Sequence, residues 1–245
     1  MFVSVEHLHR DMGVDKEMAR FFVDRKVPAD NAFWRKRLLY IGRGTGFVSI
    51  PVYYDILLRI GVQKEILLKE SHVRLMENVM HFAILHEYRE ITYQQQLEKT
   101  KELFSGRPCN NLLLEQLLSY LEQDPLKPMG RFGLQNPALN RADAFLFILC
   151  DLPLQPKQVE DAITFWYALH PSYLLMDDIV DLKSDEKEGE ENSLLFYGSG
   201  GAGMDKAFTL LDENASVLHK INPVLSGYFL YTVSKIKRMI TENKI

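Results

Sequence analysis

Cysteine is scarce in this chain, since only Cys109 and Cys150 occur among its 245 residues. Two cysteines cannot build the disulfide framework of a small secreted domain, and they lack the paired spacing of a zinc site. This composition fits a reducing environment, and a single disulfide between the two is left open. The seven histidines show no HExxH pattern, so zinc-dependent hydrolysis has little support.

Long apolar runs are also missing. No uncharged segment reaches the roughly 18 residues that a membrane-spanning helix requires, and the N-terminal residues lack the basic and apolar pattern of a secretion signal. The formal net charge of −4 gives no general attraction to nucleic acid or anionic lipid. We therefore expect a cytoplasmic protein with no membrane span and no nucleic-acid partner.

Alternating strand patterns are nearly absent, and apolar positions recur instead at the three- and four-residue intervals of helices. Proline and glycine fall where these patterns stop, and no linker divides the chain. The sequence thus predicts one all-α domain, a helical bundle covering residues 1–245. Its predicted helices are 16–25, 31–40, 52–60, one or two long helices within 62–104, 112–123, 138–149, 157–183, 204–221 and 223–241.

An acidic run follows the most apolar of these predicted helices. Asp177, Asp181 and Asp185 are spaced i, i+4, i+8, so a helix would stack their carboxylates on one face, where like charges repel. Hard oxygen ligands suit magnesium, which takes one or two carboxylates plus water and phosphate oxygens. The run predicts a Mg²⁺ site, and a solvated loop is the alternative for the tail at 185–191.

The pattern Asp177-Asp178-x-x-Asp181-x-x-x-Asp185 resembles the second aspartate-rich motif of trans-prenyltransferases and the second metal motif of class I terpene synthases. The resemblance covers about residues 165–191 and implies the all-α isoprenoid synthase fold. It implies an enzyme that ionises a magnesium-bound prenyl diphosphate to an allylic carbocation. By this resemblance Asp177 and Asp178 are catalytic, and Asp177, Asp181 and Asp185 hold the metal.

A first acidic motif should face the second one from another helix of such a fold. The candidate lies at residues 81–90, where His86 precedes Glu87 and Glu90 in place of the family's aspartates. Glu87 is the expected further metal ligand, and an exposed helix face is the alternative. The interval from Glu87 to Asp177 is 90 residues, which is shorter than the usual separation in the family and predicts a shortened bundle.

A diphosphate also needs cationic donors, and the planar guanidinium of arginine makes paired hydrogen bonds to it. Arg131 lies 46 residues before Asp177 in a glycine-flanked break, about where terpene synthases place a diphosphate-sensing arginine. Arg141 is an alternative donor, and Lys183 is a further one. The basic cluster at 35–43 loosely resembles the N-terminal basic motif of prenyltransferases, and an exposed helix face explains it equally well.

Aromatic side chains precede the acidic run. Phe165, Trp166 and Tyr173 are the expected lining of an apolar substrate pocket, where their ring faces would stabilise a carbocation. Ordinary core packing is the alternative for each of them. The whole chain also allows a second interpretation, a non-catalytic helical partner subunit or binding protein derived from the same fold, and a homodimer is left open in both interpretations.

Overall fold

The computed structural model describes residues 3–26, 29–31, 45–198 and 201–242. Within these ranges the regular elements are helices, and the only β contact is an isolated bridge between Met129 and Phe132. The protein is therefore all-α, as the sequence predicts. The α-helices are α1 (Lys16–Asp24), α2 (Thr45–Arg59), α3 (Lys64–Leu67), α4 (Glu70–Glu87), α5 (Tyr93–Glu102), α6 (Asn111–Leu121), α7 (Pro156–Glu188), α8 (Ser193–Tyr197), α9 (Gly201–His219) and α10 (Pro223–Thr241).

Several predicted segments differ from the observed elements or lie outside the described residues. The segment 62–104 forms the three helices α3, α4 and α5 rather than one or two. The break before α5 occurs where Arg89 adopts a left-handed φ of 59° and Thr92 forms a capping box with Gln95. The predicted helix 31–40 and the basic cluster at 35–43 lie outside the described residues, apart from Asn31.

The predicted α-helix at 138–149 is replaced by two 3₁₀ helices, Pro137–Asn140 and Asp143–Asp151. All residues from Asp143 to Cys150 are buried, so this segment has no solvent-facing side. It passes between α4 and α6, with which it packs. A buried 3₁₀ connector of this kind carries no single apolar stripe, and its sequence therefore resembles that of a buried α-helix.

Helix α7 is the central element of the fold and packs against α2, α9, α10 and the 3₁₀ helix Pro137–Asn140. It starts with Pro156 in its first turn after a capping box between Gln155 and Gln158. It ends at Gly189, whose φ of 72° is the left-handed conformation of a helix terminus. The predicted start is confirmed, and the helix continues through Pro171.

Two side-chain hydrogen bonds lie beside Pro171 in α7. Proline lacks the amide that would bond to the preceding turn, and at the next residue the Ser172 hydroxyl donates to the Ala168 carbonyl at 2.7 Å. Asn214 of α9 donates to the same hydroxyl at 3.0 Å. Together these bonds tie α7 to α9 beside the proline. Among the described residues, no helix has the length and apolarity needed to cross a membrane.

Candidate functional site

The predicted ladder of carboxylates, which consists of Asp177, Asp181 and Asp185, lies within the last turns of α7, so its helical geometry is confirmed. Asp177 and Asp181 are exposed one turn apart, and neither carboxylate has a hydrogen bond or ion pair within the described part of the chain. The pKa of Asp177 is raised, mainly because part of its side chain is shielded from solvent by the protein. Repulsion from the Asp181 and Asp178 carboxylates contributes less to the rise. The positive charge of Arg141 opposes this rise, although it forms no ion pair with Asp177.

Asp178 differs from its neighbour because its side chain is buried. The Arg141 guanidinium donates to it from Nη2 at 2.9 Å and from Nη1 at 3.4 Å. The backbone amide of Ser193 donates to Oδ2 of Asp178 at 2.9 Å. These contacts compensate the carboxylate from within the protein, so Asp178 serves as an anchor between α7, α8 and Arg141.

Asp185 is likewise engaged by a protein side chain. The Asn192 amide donates to Oδ2 of Asp185 at 2.8 Å and to the backbone carbonyl of Asp178 at 2.7 Å. Its own side-chain oxygen accepts from the Leu194 amide and so caps α8. Asn192 therefore links the turn after α7 to Asp185, the last residue of the ladder. Asp177 and Asp181 are the two ladder residues whose carboxylates have no hydrogen bond or ion pair among the described residues.

The predicted cationic donors lie in three different environments. Arg141 is beside the ladder through Asp178, and it also donates to the Ala138 carbonyl at 3.0 Å. The guanidinium has five N–H donors. Three hydrogen bonds occupy some of them, and the remaining donors are available to a ligand. Arg131 is exposed in a turn. Lys183 is exposed and follows Asp181 by two residues, which places it on the opposite side of α7.

Glu87 is the last residue of α4 and is exposed. Its helix packs against α5 and the 3₁₀ helix Asp143–Asp151. In the part of the chain that the structure covers, no three His, Cys, Asp or Glu side chains converge as a group that could hold a metal ion. A metal at the ladder would thus draw on two carboxylates and would need further oxygens from water or from a ligand.

The three predicted pocket aromatics are buried core residues. Phe165 is 9% exposed, Trp166 2% and Tyr173 5%. Trp166 stacks on Phe145 at a centroid distance of 5.3 Å, and Tyr173 contacts Phe229 edge to face at 4.9 Å. Two surface depressions of the described residues are lined by Phe21 and its neighbours and by Phe104 and its neighbours, and neither involves the ladder.

A buried carboxylate, Asp143, links this aromatic region to the turn that carries Arg131. Three groups donate to it: the hydroxyls of Tyr120 at 2.7 Å and Tyr167 at 2.8 Å, and Trp166 Nε1 at 2.8 Å. The Tyr167 hydroxyl in turn accepts from the Gly133 amide at 2.6 Å. Burial raises the pKa of Asp143 to about 6, and these three donors oppose that rise.

Sequence reasoning missed three polar residues that build this region, namely Asp143, His170 and Asn192. His170 interrupts an apolar segment and Asp143 lies at the start of one, and a polar residue at such a position is a signal of a buried polar group. Asn192 precedes Ser193 and a short apolar run, which is the pattern of a helix cap. Each signal marks an unusual residue, although none of them identifies its partner.

Comparison with protein-family models, with curated proteins and with solved structures gave no match for this chain. Asp177 and Asp181 offer hard oxygen ligands one helical turn apart, and Arg141 offers guanidinium donors next to them. This donor set fits a magnesium ion whose remaining ligands come from water and from an anionic, oxygen-rich molecule.

Proposed function

We propose that this protein is an isoprenoid synthase-like enzyme that binds a magnesium-bound prenyl diphosphate at the exposed end of α7. The observation that carries the proposal is that Asp177 and Asp181 have no hydrogen bond or ion pair among the described residues, although the two other aspartates of the run, Asp178 and Asp185, have protein partners. Adjacent carboxylates on a helix repel each other. A divalent cation bound between the two carboxylates would attract both of them and relieve their mutual repulsion.

In this proposal each residue has a separate task. Asp177 and Asp181 would hold magnesium, which would offset part of the diphosphate charge and make it a better leaving group. Arg141 remains paired with Asp178 and directs its remaining donors to phosphate oxygens. Arg131 is the second proposed donor, on a turn that the Gly133 to Tyr167 hydrogen bond fixes. Departure of the diphosphate would leave an allylic carbocation on the prenyl chain.

Turnover of prenyl diphosphates tests the enzymatic part of the proposal. Diphosphate release from geranyl, farnesyl and geranylgeranyl diphosphates is measured with magnesium and with EDTA, for the wild type and for Asp177→Ala. We expect release with at least one substrate, lost in EDTA and reduced roughly a hundredfold or more in the variant. The matched control is Glu186→Gln, which removes a charge from an exposed position on the other side of α7 and should leave release unchanged.

A second candidate function, a non-catalytic partner subunit or binding protein, is favoured by the packing around the ladder. Trp166 and Tyr173 fill the space along α7 with stacked and edge-to-face contacts, and Glu87 is not gathered with the ladder into a metal-binding group of three within the described residues. Under this function magnesium and diphosphate still bind at Asp177 and Asp181. No release would occur from any of the three substrates in a correctly folded wild-type protein.

A further inference from the structure

His170 is a buried polar side chain without a hydrogen-bond partner in the described part of the chain. It is 7% exposed, and both ring nitrogens, Nδ1 and Nε2, are shielded from solvent and unsatisfied. Buried polar groups are nearly always hydrogen-bonded because leaving them unpaired is costly. A bound ligand that forms hydrogen bonds with the His170 ring would explain why the protein itself leaves both nitrogens unpaired.

The His170 ring has a fixed orientation. It lies parallel to the Trp166 ring, with a centroid distance of 4.7 Å and an interplanar angle of 2°. Trp166 is itself held by Phe145 on its ring face and by the Asp143 carboxylate at its Nε1. Because the histidine ring is stacked on a tryptophan that is itself held in place, it cannot rotate freely. The positions of its two ring nitrogens are therefore fixed before a ligand binds.

His170 also lies on the side of α7 that carries the ladder. Asp177 follows it by seven residues, or about two turns, which returns to nearly the same direction around the helix. The rise between them is about 10 Å at 1.5 Å per residue, and this is on the order of the space that a metal ion with a diphosphate would span. Burial, with the positive charge of Arg141 as a second cause, lowers the pKa of His170 to about 3. The ring is therefore neutral near pH 7, with one donor nitrogen and one acceptor nitrogen.

We propose that His170 is a ligand-binding residue, which donates a hydrogen bond to a diphosphate oxygen of the molecule held by Asp177, Asp181 and Arg141. This inference rests on the proposed function and extends its site two turns inward along α7. The bond forms only with ligand present, so the ring nitrogens of His170 increase affinity for the diphosphate, whereas the stacking of the ring on Trp166 supports the fold with or without ligand.

Binding of inorganic pyrophosphate with magnesium tests this assignment by isothermal titration calorimetry. His170→Phe keeps the ring stacking and removes both nitrogens, and we expect the dissociation constant to rise roughly tenfold or more. His170→Gln and His170→Asn place an amide nitrogen near the positions of Nε2 and Nδ1, and we expect at least one of them to restore part of the affinity. In ¹⁵N NMR spectra of the wild type, the His170 ring resonances should shift on adding magnesium pyrophosphate.

Tyr54→Phe is the matched control, because it also removes a buried, unsatisfied polar atom and keeps the ring. Tyr54 contacts the rings of Phe22 and His72, which lie outside α7, so its variant should bind like the wild type. If wild type and His170→Phe bind with equal affinity, the His170 assignment is wrong and the proposed function stands. If the wild type does not bind magnesium pyrophosphate at all, the proposed function is wrong and the assignment fails with it.

Discussion

Arg141 holds Asp178 at an Nη2 to Oδ1 distance of 2.9 Å, and this ion pair divides the acidic run of α7 into two parts. Asp178 is neutralised inside the protein. Asp177, its neighbour in the chain, points to a different side of the helix and is exposed without a partner among the described residues. Two consecutive aspartates therefore have opposite energetic roles, one supporting the fold and the other opposing it.

The first prediction follows from this division. Asp178→Asn removes the negative charge of a buried ion pair and one of its two acceptor oxygens, which the Arg141 guanidinium and the Ser193 amide use, so it should lower the free energy of unfolding by roughly 1–3 kcal/mol. Asp177→Asn removes a like-charge repulsion and should raise it by roughly 0.2–0.5 kcal/mol. Urea denaturation of both variants at pH 7 measures the difference. Equal destabilisation by the two substitutions would contradict the assigned roles.

The second prediction concerns the pH dependence that Asp143 introduces. Its pKa rises from the ordinary value of 3.8 to about 6 in the folded protein. Between these values the folded state keeps a proton that the unfolded state has lost, so stability falls as pH rises through this window. The loss is about 1.4 kcal/mol per pH unit and ends above about pH 6.

Asp143→Asn isolates this contribution because asparagine does not titrate. The free energy of unfolding of the wild type minus that of the variant should decline by about 2–3 kcal/mol between pH 4 and pH 6 and then stay constant. Denaturant titrations at half-unit pH intervals measure the difference, and all other titrating groups cancel in it. A difference that is flat, or that increases with pH, would show that Asp143 does not retain its proton in this window.

The third prediction compares two glycines of the turn that carries Arg131. Gly130 and Gly133 both have positive φ, 60° and 83°. A Cβ added at Gly130 would meet nothing within 4 Å, whereas one at Gly133 would lie 2.9 Å from the Tyr120 ring and 3.2 Å from the Pro128 Cα.

Gly130→Ala should therefore cost only the left-handed backbone penalty, roughly 1–2 kcal/mol. Gly133→Ala adds a steric clash with Tyr120, one of the donors to Asp143, and we expect at least about 1 kcal/mol more. Thermal unfolding of both variants tests the comparison. A Gly130 variant as destabilised as the Gly133 variant would mean that Tyr120 yields without cost.

Local sequence signals predicted the fold class and the position of the ladder. Pro156 marked the start of α7, and the i, i+4, i+8 spacing placed Asp177 and Asp181 on one helical face because both features depend only on neighbours in the chain. The Thr92 and Gln95 capping box was also present in the sequence and would have separated α4 from α5.

Contacts between distant residues could not be predicted in this way. The partner of Asp178 lies 37 residues earlier, and nothing local distinguishes Arg141 from the exposed Arg131. The 3₁₀ geometry of Asp143–Asp151 is likewise set by its burial between α4 and α6 and not by its residues alone. The division of the acidic run into engaged and unengaged members therefore becomes visible only in the folded protein.

The central claim is that Asp177 and Asp181 are kept unpaired in order to bind magnesium with a diphosphate. Its most direct test is the free energy of unfolding of the wild type and of the double variant Asp177→Asn/Asp181→Asn, each with and without magnesium pyrophosphate. A ligand that binds the folded state at a hundred times its dissociation constant stabilises by about 2.7 kcal/mol. We expect the wild type alone to gain stability from the ligand, and the double variant to be the more stable protein without it. Equal gains in both proteins, or no gain in the wild type, would contradict the claim.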